Sequence, residues 1–140
     1  MDISRKDTID LNGKNVTVIG LARSGVAAAQ LAYELGANVF ISDMSDSEEV
    51  QNALKKLINQ GMAGETGGHT EKIHEADLWI ISPGVPKDSD IIINAQDNNI
   101  PIVSEIEFAS WFTMAPILAV TGSNGKTTTV NMLYEMCKTD

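Results

Sequence analysis

Apolar positions follow two alternating rhythms along this chain. Residues 15–20 (Asn15-Val16-Thr17-Val18-Ile19-Gly20) form a short β-branched run, the pattern of a buried strand. Ala28, Leu31, Ala32 and Leu35 then recur at i, i+3, i+4 and i+7, one stripe of a helix, and Gly36 suits its C-terminus. The pair repeats. Residues 38–42 predict a second strand, and Val50, Ala53, Leu54, Leu57 and Ile58 a second helix, begun by Ser47 with acids in its first turn and closed by Gly61. Residues 62–64 suit a short strand, although Gly64, Gly67 and Gly68 dilute the signal. Residues 78–82 predict a strand, Ser89 caps a helix running to about Asn98, residues 101–103 make a short strand and residues 105–112 a helix. Five strands with four crossover helices predict an α/β fold, a Rossmann-like doubly wound parallel sheet. Ala115-Pro116 marks its end, because proline disfavours helix in the residue before it. Beyond it, residues 117–120 read as a strand and 130–138 as a helix. The expected division is a domain over 1–114 and the opening strand, loop and helix of a second over 115–140, as in a piece of a longer enzyme.

Composition changes this picture little. The chain is 43% hydrophobic and 21% charged, ordinary for a folded domain. Its net charge of −9 comes from an excess of acid in both halves, with no basic patch, which argues against nucleic acid as a partner. A single cysteine, Cys137, excludes an intramolecular disulfide and fits a reducing cytoplasm. The apolar stretches fall short of a membrane span, and the N-terminus, Met1 to Asp7, lacks the apolar core of a signal peptide.

Candidate chemistry collects at the ends of the predicted strands. The first ends in Gly20-Leu21-Ala22-Arg23-Ser24-Gly25, a dinucleotide-type turn whose middle glycine is replaced. The Ala22 methyl stands where a pyrophosphate needs close backbone approach, which disfavours ordinary NAD binding; a turn with no ligand is the plain alternative. Asp43 lies at the tip of the second strand, about 20 residues on, where such folds set an acid against a nucleoside. Ser82-Pro83-Gly84-Val85-Pro86 leaves the next strand at the same edge, a rigid turn whose amides can face a phosphate, though a purely structural loop would use the same residues.

The most specific signal is Gly122-Ser123-Asn124-Gly125-Lys126-Thr127-Thr128 between strand and helix patterns. Val120 stands where the usual phosphate loop has its first glycine. The shorter loop still offers consecutive N–H donors, Lys126 as a point charge for phosphates and the Thr127 hydroxyl as a Mg²⁺ ligand. Other candidates are weaker. His69 and His74 read as surface histidines rather than metal ligands, Trp79 and Trp111 as core or domain-interface residues, Cys137 as a small apolar residue, and Glu105 and Glu107 as acids at a helix N-terminus rather than an acid/base pair.

The runs Val18 to Gly25, Ser82 to Pro86, Ser104-Glu105-Ile106-Glu107-Phe108 and Val120 to Thr128, in this order and spacing across nearly the whole chain, resemble the bacterial muramyl ligase family. The resemblance implies a monomeric, cytoplasmic, ATP-dependent ligase of peptidoglycan precursor synthesis. The Ser-Pro-Gly-Val-Pro loop points to the member that joins D-glutamate to UDP-N-acetylmuramoyl-L-alanine through an acyl phosphate. By the same resemblance Gly20, Arg23, Ser24, Gly25, Asp43, Met44, Ser45, Ser82, Pro83 and Gly84 hold the uridine diphosphate part, with Asp43, Met44 and Ser45 toward the uracil and Arg23 and Ser24 toward the diphosphate. Met44 departs from the pattern, since many relatives carry a hydroxyl there and methionine offers only its backbone. Gly122, Ser123, Asn124, Gly125, Lys126, Thr127 and Thr128 are implied to bind ATP, with Lys126 catalytic and Thr127 on Mg²⁺. The family's modified lysine, remaining metal ligands and D-glutamate site would lie beyond Asp140, so the chain alone is expected to be inactive. A nicotinamide-dependent oxidoreductase domain and a noncatalytic nucleotide-sensing module stay open as alternatives.

Overall fold

The computed structural model describes residues 9–86 and 88–138. The reading of the N-terminus as free of a signal peptide falls on residues 1–8, outside the described residues. Five strands, β1 (Asn15–Ile19), β2 (Asn38–Asp43), β3 (Ala63–Thr66), β4 (Leu78–Ile81) and β5 (Ile102–Ser104), form one parallel sheet in the order β3-β2-β1-β4-β5. The helices are α1 (Arg23–Glu34), α2 (Glu48–Asn59), α3 (Asp90–Asp97), α4 (Glu105–Ser110) and α5 (Lys126–Cys137).

The pleat explains why both faces are covered. In β1 and its neighbours Val16, Val18, Val39, Ile41, Leu78 and Ile80 belong to one core, packed with Ala28, Ala29 and Ala32 of α1, Leu54 and Leu57 of α2, and Phe108 of α4. The alternate positions Ile19 and Trp79 belong to a second core with Ile73, Ile92 and Ala95. Alanine on the buried stripe of α1 lets its backbone lie close to the sheet. Trp79 is fully buried, and its Nε1–H donates to the Ile73 carbonyl at 2.7 Å. No helix among the described residues is long and apolar enough to cross a membrane.

Several local readings need correction. Residues 117–120 form no strand; a strand is held by bonds to a neighbouring strand, and none pairs with them among the described residues. The chain crosses from β3 to β4 through a 3-10 turn (Glu71–His74), so only α1, α2 and α3 are strand-to-strand crossovers. The third strand sits at 63–66 rather than 62–64, and α5 begins at Lys126, four residues before the apolar pattern that suggested it. Ser47 caps α2 as expected, accepting from the Val50 N–H at 3.4 Å. Ser89 occupies the cap position of α3 without a side-chain bond to the helix, and its buried hydroxyl has no partner among the described residues.

The sharpest packing constraint is the turn after β1. A Cβ on Gly25 would stand 2.0 Å from the Gly20 carbonyl oxygen, and Gly20 itself has φ +102 with a Cβ position 2.6 Å from Cβ of Ser82. Gly25→Ala should therefore cost about 3 kcal/mol or more, since the obstructing atom is backbone. Urea unfolding of the variant checks this; a loss below about 1 kcal/mol would mean that α1 can shift away at little cost.

Candidate functional site

A cleft of about 540 Å³ opens at the carboxyl edge of the sheet, lined among others by Gly20, Asp43, Ser82, Gly84, His69 and Ser89. It lies between the ends of β1 and β4, where successive connections leave in opposite directions and parallel sheets keep their ligand crevices. Backbone bonds seat its walls: the Gly20 N–H donates to the Ser42 carbonyl and the Ser82 N–H to the Ile19 carbonyl, both at 2.9 Å.

Asp43 is the organiser of one wall. Its Oδ2 accepts from the Leu21 N–H at 2.6 Å and its Oδ1 from the Ser45 N–H at 2.7 Å, so one carboxylate ties the β1 turn to the loop after β2. Beside it lies a polar network. Glu65 Oε1 accepts from the Ser42 hydroxyl at 2.9 Å and the Thr70 N–H at 2.8 Å, while Oε2 accepts from the Thr70 hydroxyl at 2.7 Å. The Ser42 hydroxyl, fully buried, also meets His69 Nδ1 at 2.7 Å. Partial burial pushes the Glu65 carboxyl up, but the bonds from Thr70 and Ser42 and the nearby His69 outweigh it and hold the group below its ordinary value. Burial lowers the His69 imidazole, and the carboxylates of Glu65 and Asp43 only partly offset this.

The cleft gathers Gly20, Asp43, Met44, Ser82 and Gly84 of the expected nucleotide-binding residues. It does not gather all of them. Arg23 and Ser45 line a second cleft, of about 780 Å³, between α1 and α2, which Ala22 and Asp43 also border. Ser24 faces a small apolar groove between α1 and α4, Gly25 is packed beneath the turn, and Pro83 is exposed. The sequence reading missed His69, which is half-buried in the cleft wall rather than on the surface. His74 is also half-buried, stacked on Trp79 at 5.3 Å between ring centres. The signal available for His69 was its place after Gly67-Gly68, where both glycines have positive φ and turn the chain back over the sheet edge. Trp111 is a core residue in edge contact with Phe108. Glu105 stands at the N-terminus of α4 as expected but is only 6% exposed, with no partner for Oε1 among the described residues, whereas Glu107 and Cys137 are exposed.

At the other candidate site the chain turns at Gly122 (φ +148) and Gly125 (φ +80), and α5 starts at Lys126. The Lys126 ammonium donates to the Gly122 carbonyl, and the Thr129 hydroxyl to the Gly125 carbonyl at 3.0 Å. Ser123, Asn124, Thr127 and Thr128 are exposed. The loop thus has the glycine conformations and the open helix N-terminus that a phosphate group would use.

The family model for the Mur ligase MurD-like N-terminal domain matches residues 14–104. The chain is 41% identical over 132 residues to the UDP-N-acetylmuramoylalanine--D-glutamate ligase of Chlorobium limicola, covering 94% of this chain and 28% of that protein. It is 44% identical over 126 residues to the protein of the same name from Chlorobium phaeobacteroides, covering 90% and 27%. Among solved structures, a murein peptide ligase from Psychrobacter arcticus superposes with a TM-score of 0.61 at 25% identity, covering 87% of this chain and 26% of that one. The chain therefore spans little more than a quarter of the length of these curated relatives.

The two lowered pKa values act on stability with one sign. A group whose folded value lies below its ordinary one leaves the unfolded chain binding more protons, so stability rises with pH through that window. Stability present above pH 6.5 is lost as the pH falls from there through the folded value of His69, and a second loss begins below 4.5 for Glu65. Urea midpoints followed from about pH 7.5 to about pH 3 should show both steps. His69→Asn, which keeps a donor near the Nδ1 position but cannot titrate, should remove the upper step and leave the lower; an unchanged upper step would assign it to another group.

Proposed function

The chain belongs to the Mur ligase family through its MurD-like N-terminal domain, and we propose that it supplies the uridine-nucleotide-binding part of an ATP-dependent ligase that joins D-glutamate to UDP-N-acetylmuramoyl-L-alanine. The observation that carries this reading is the cleft at the β1/β4 switch point, which brings Gly20, Asp43, Ser82 and Gly84 to one place. The nucleoside sits in that cleft. Ala22 and Asp43 border both clefts, so the phosphates of a bound nucleotide pass into the second cleft, to the side of the Ala22 methyl, toward Arg23 and Lys56, the cations among the described residues that line it. Asp43 acts chiefly by fixing the two loops through Leu21 and Ser45. Residues 1–114 form this domain, and residues 115–140 begin the ATP-binding one.

At the phosphate loop, the backbone N–H groups of residues 122–128 and Lys126 would hold the ATP phosphates and the Thr127 hydroxyl would hold Mg²⁺. Bound there, ATP would supply the phosphoryl group that activates the substrate carboxylate, leaving as ADP, and Mg²⁺ would neutralise phosphate charge. Lys126 contributes positive charge where the phosphoryl group passes. The protein works as a cytoplasmic monomer. The Ala22 methyl in the turn disfavours a nicotinamide dinucleotide, the main rival ligand.

Amide spectra of the chain titrated with UDP and, separately, with NAD check the nucleotide reading. UDP alone should shift Gly20 to Gly25, Asp43 and Ser82 to Gly84, and Asp43→Ala should weaken UDP binding by roughly one to two powers of ten as Leu21 and Ser45 lose their acceptor. A response to NAD alone, or unchanged UDP binding by a folded Asp43→Ala protein, would overturn it.

The ATP assignment has its own measurement. In a full-length ligase carrying this sequence, Lys126→Ala should abolish ADP release while UDP-precursor binding survives, and the 140-residue chain by itself should release no ADP. Full turnover by the variant would remove Lys126 from the chemistry.

A further inference from the structure

The polar network beside the cleft fixes where the His69 proton sits. The Ser42 hydroxyl has one proton and three neighbours: Glu65 Oε1 at 2.9 Å, His69 Nδ1 at 2.7 Å and the Gly68 carbonyl oxygen at 3.4 Å. Two oxygens at 2.9 Å need a proton between them, and an ionised carboxylate has none to give. The Ser42 proton therefore goes to Glu65. The shorter contact to His69 must then take its proton from the ring, so Nδ1 donates and Ser42 Oγ accepts. In a neutral imidazole this leaves Nε2 as a bare acceptor. Among the described residues no protein group bonds to Nε2, and the ring lines the cleft. Glu65 and Asp43 are the charged groups that act on it.

Asp43, the acid set toward the nucleoside, already uses one lone pair of each oxygen on a backbone N–H, whereas no described protein group bonds to His69 Nε2. We propose that His69, locked as the Nδ1–H tautomer by Ser42, is a specificity-determining residue of the cleft whose Nε2 accepts a hydrogen bond from an N–H or O–H donor on the nucleoside end of the ligand. The inference rests on the uridine-nucleotide reading of the cleft and names the atom that reads the nucleoside. Burial of the ring keeps it neutral near pH 7, which preserves the acceptor. A protonated ring would present a donor there instead and would repel the same ligand group.

Long-range proton–nitrogen spectra of the ¹⁵N-labelled chain read the tautomer directly. Near neutral pH, His69 should show Nδ1 protonated and Nε2 unprotonated, and UDP should move the Nε2 resonance. His69→Asn keeps a donor for Ser42 and deletes the cleft atom; it should fold normally and bind UDP about fivefold more weakly. His69→Gln, which returns an amide oxygen near the Nε2 position, should recover part of the loss. UDP methylated at the base N3 tests a base donor and 2′-deoxy-UDP a ribose donor, and one of the two should bind the unsubstituted chain about as weakly as UDP binds His69→Asn. An Nε2–H tautomer, an Nε2 resonance that ignores bound UDP, or UDP affinity unchanged in His69→Asn would overturn the inference while leaving the site reading intact. Absence of UDP binding to the unsubstituted chain would overturn both.

Discussion

A Cβ on residue 25 would stand 2.0 Å from the Gly20 carbonyl oxygen, so the first turn of α1 can rest on the end of β1 only because that side chain is absent. Much of the site follows from this close approach. With α1 held so near the strand end, the chain must leave β1 through a positive φ at Gly20, and the space over Gly20 goes to Ser82 at the exit of β4. Two loops from either side of the switch point are thereby pressed together at their bases and diverge above, which is what makes a cleft there instead of a flat edge. Ala22 adds a methyl at the rim. The geometry resembles that of dinucleotide-binding folds in its first and third glycines and differs at the position that controls access to the turn.

The acids that give the chain its negative charge are put to use at this edge without cationic partners. Among the described residues the recorded salt bridge is the exposed Glu135–Lys138 pair, remote in sequence from the cleft. Asp43 and Glu65 are instead satisfied by backbone N–H groups and hydroxyls, which hold loops at defined positions and are insensitive to the long, mobile side chains that an ion pair needs. Among the described residues no lysine or arginine lines the main cleft. An anionic group would meet favourable charge in the second cleft, at Arg23, Lys56 and the N-terminus of α1.

What was legible in the sequence is what local rules decide. The short apolar runs found the five strands, because this sheet is buried on both faces, and the 3.6-residue stripes found α1 and α2, because each helix buries one side. The glycine turn, Asp43 and the Ser82 loop were visible for the same reason, since a strand end fixes which residues reach the sheet edge. His69 escaped because its place depends on two successive glycines with positive φ and on Ser42, 27 residues earlier. Arg23 and Ser45 were grouped with the main cleft because sequence spacing says which strand end a residue follows and not on which side of Asp43 it emerges. Glu105 was read as an acid at a helix N-terminus, where it stands, and only the packing of α4 against α1 reveals its burial.

The phosphate loop shows the same division between local and distant causes inside one motif. Its turn is local: Gly125 takes a left-handed φ that favours glycine, α5 begins at the next residue, and the lysine folds back on the Gly122 carbonyl. Its preceding strand is not local, because a strand is stabilised by a neighbour's backbone, and residues 117–120 have no such partner among the described residues. The lysine contact has a functional edge. An ammonium with three donors that already holds a carbonyl four residues back is kept close to the helix N-terminus where a phosphate would arrive. A ligand phosphate then competes with one neutral acceptor and offers a charged one, an exchange that favours the phosphate without requiring the loop to refold.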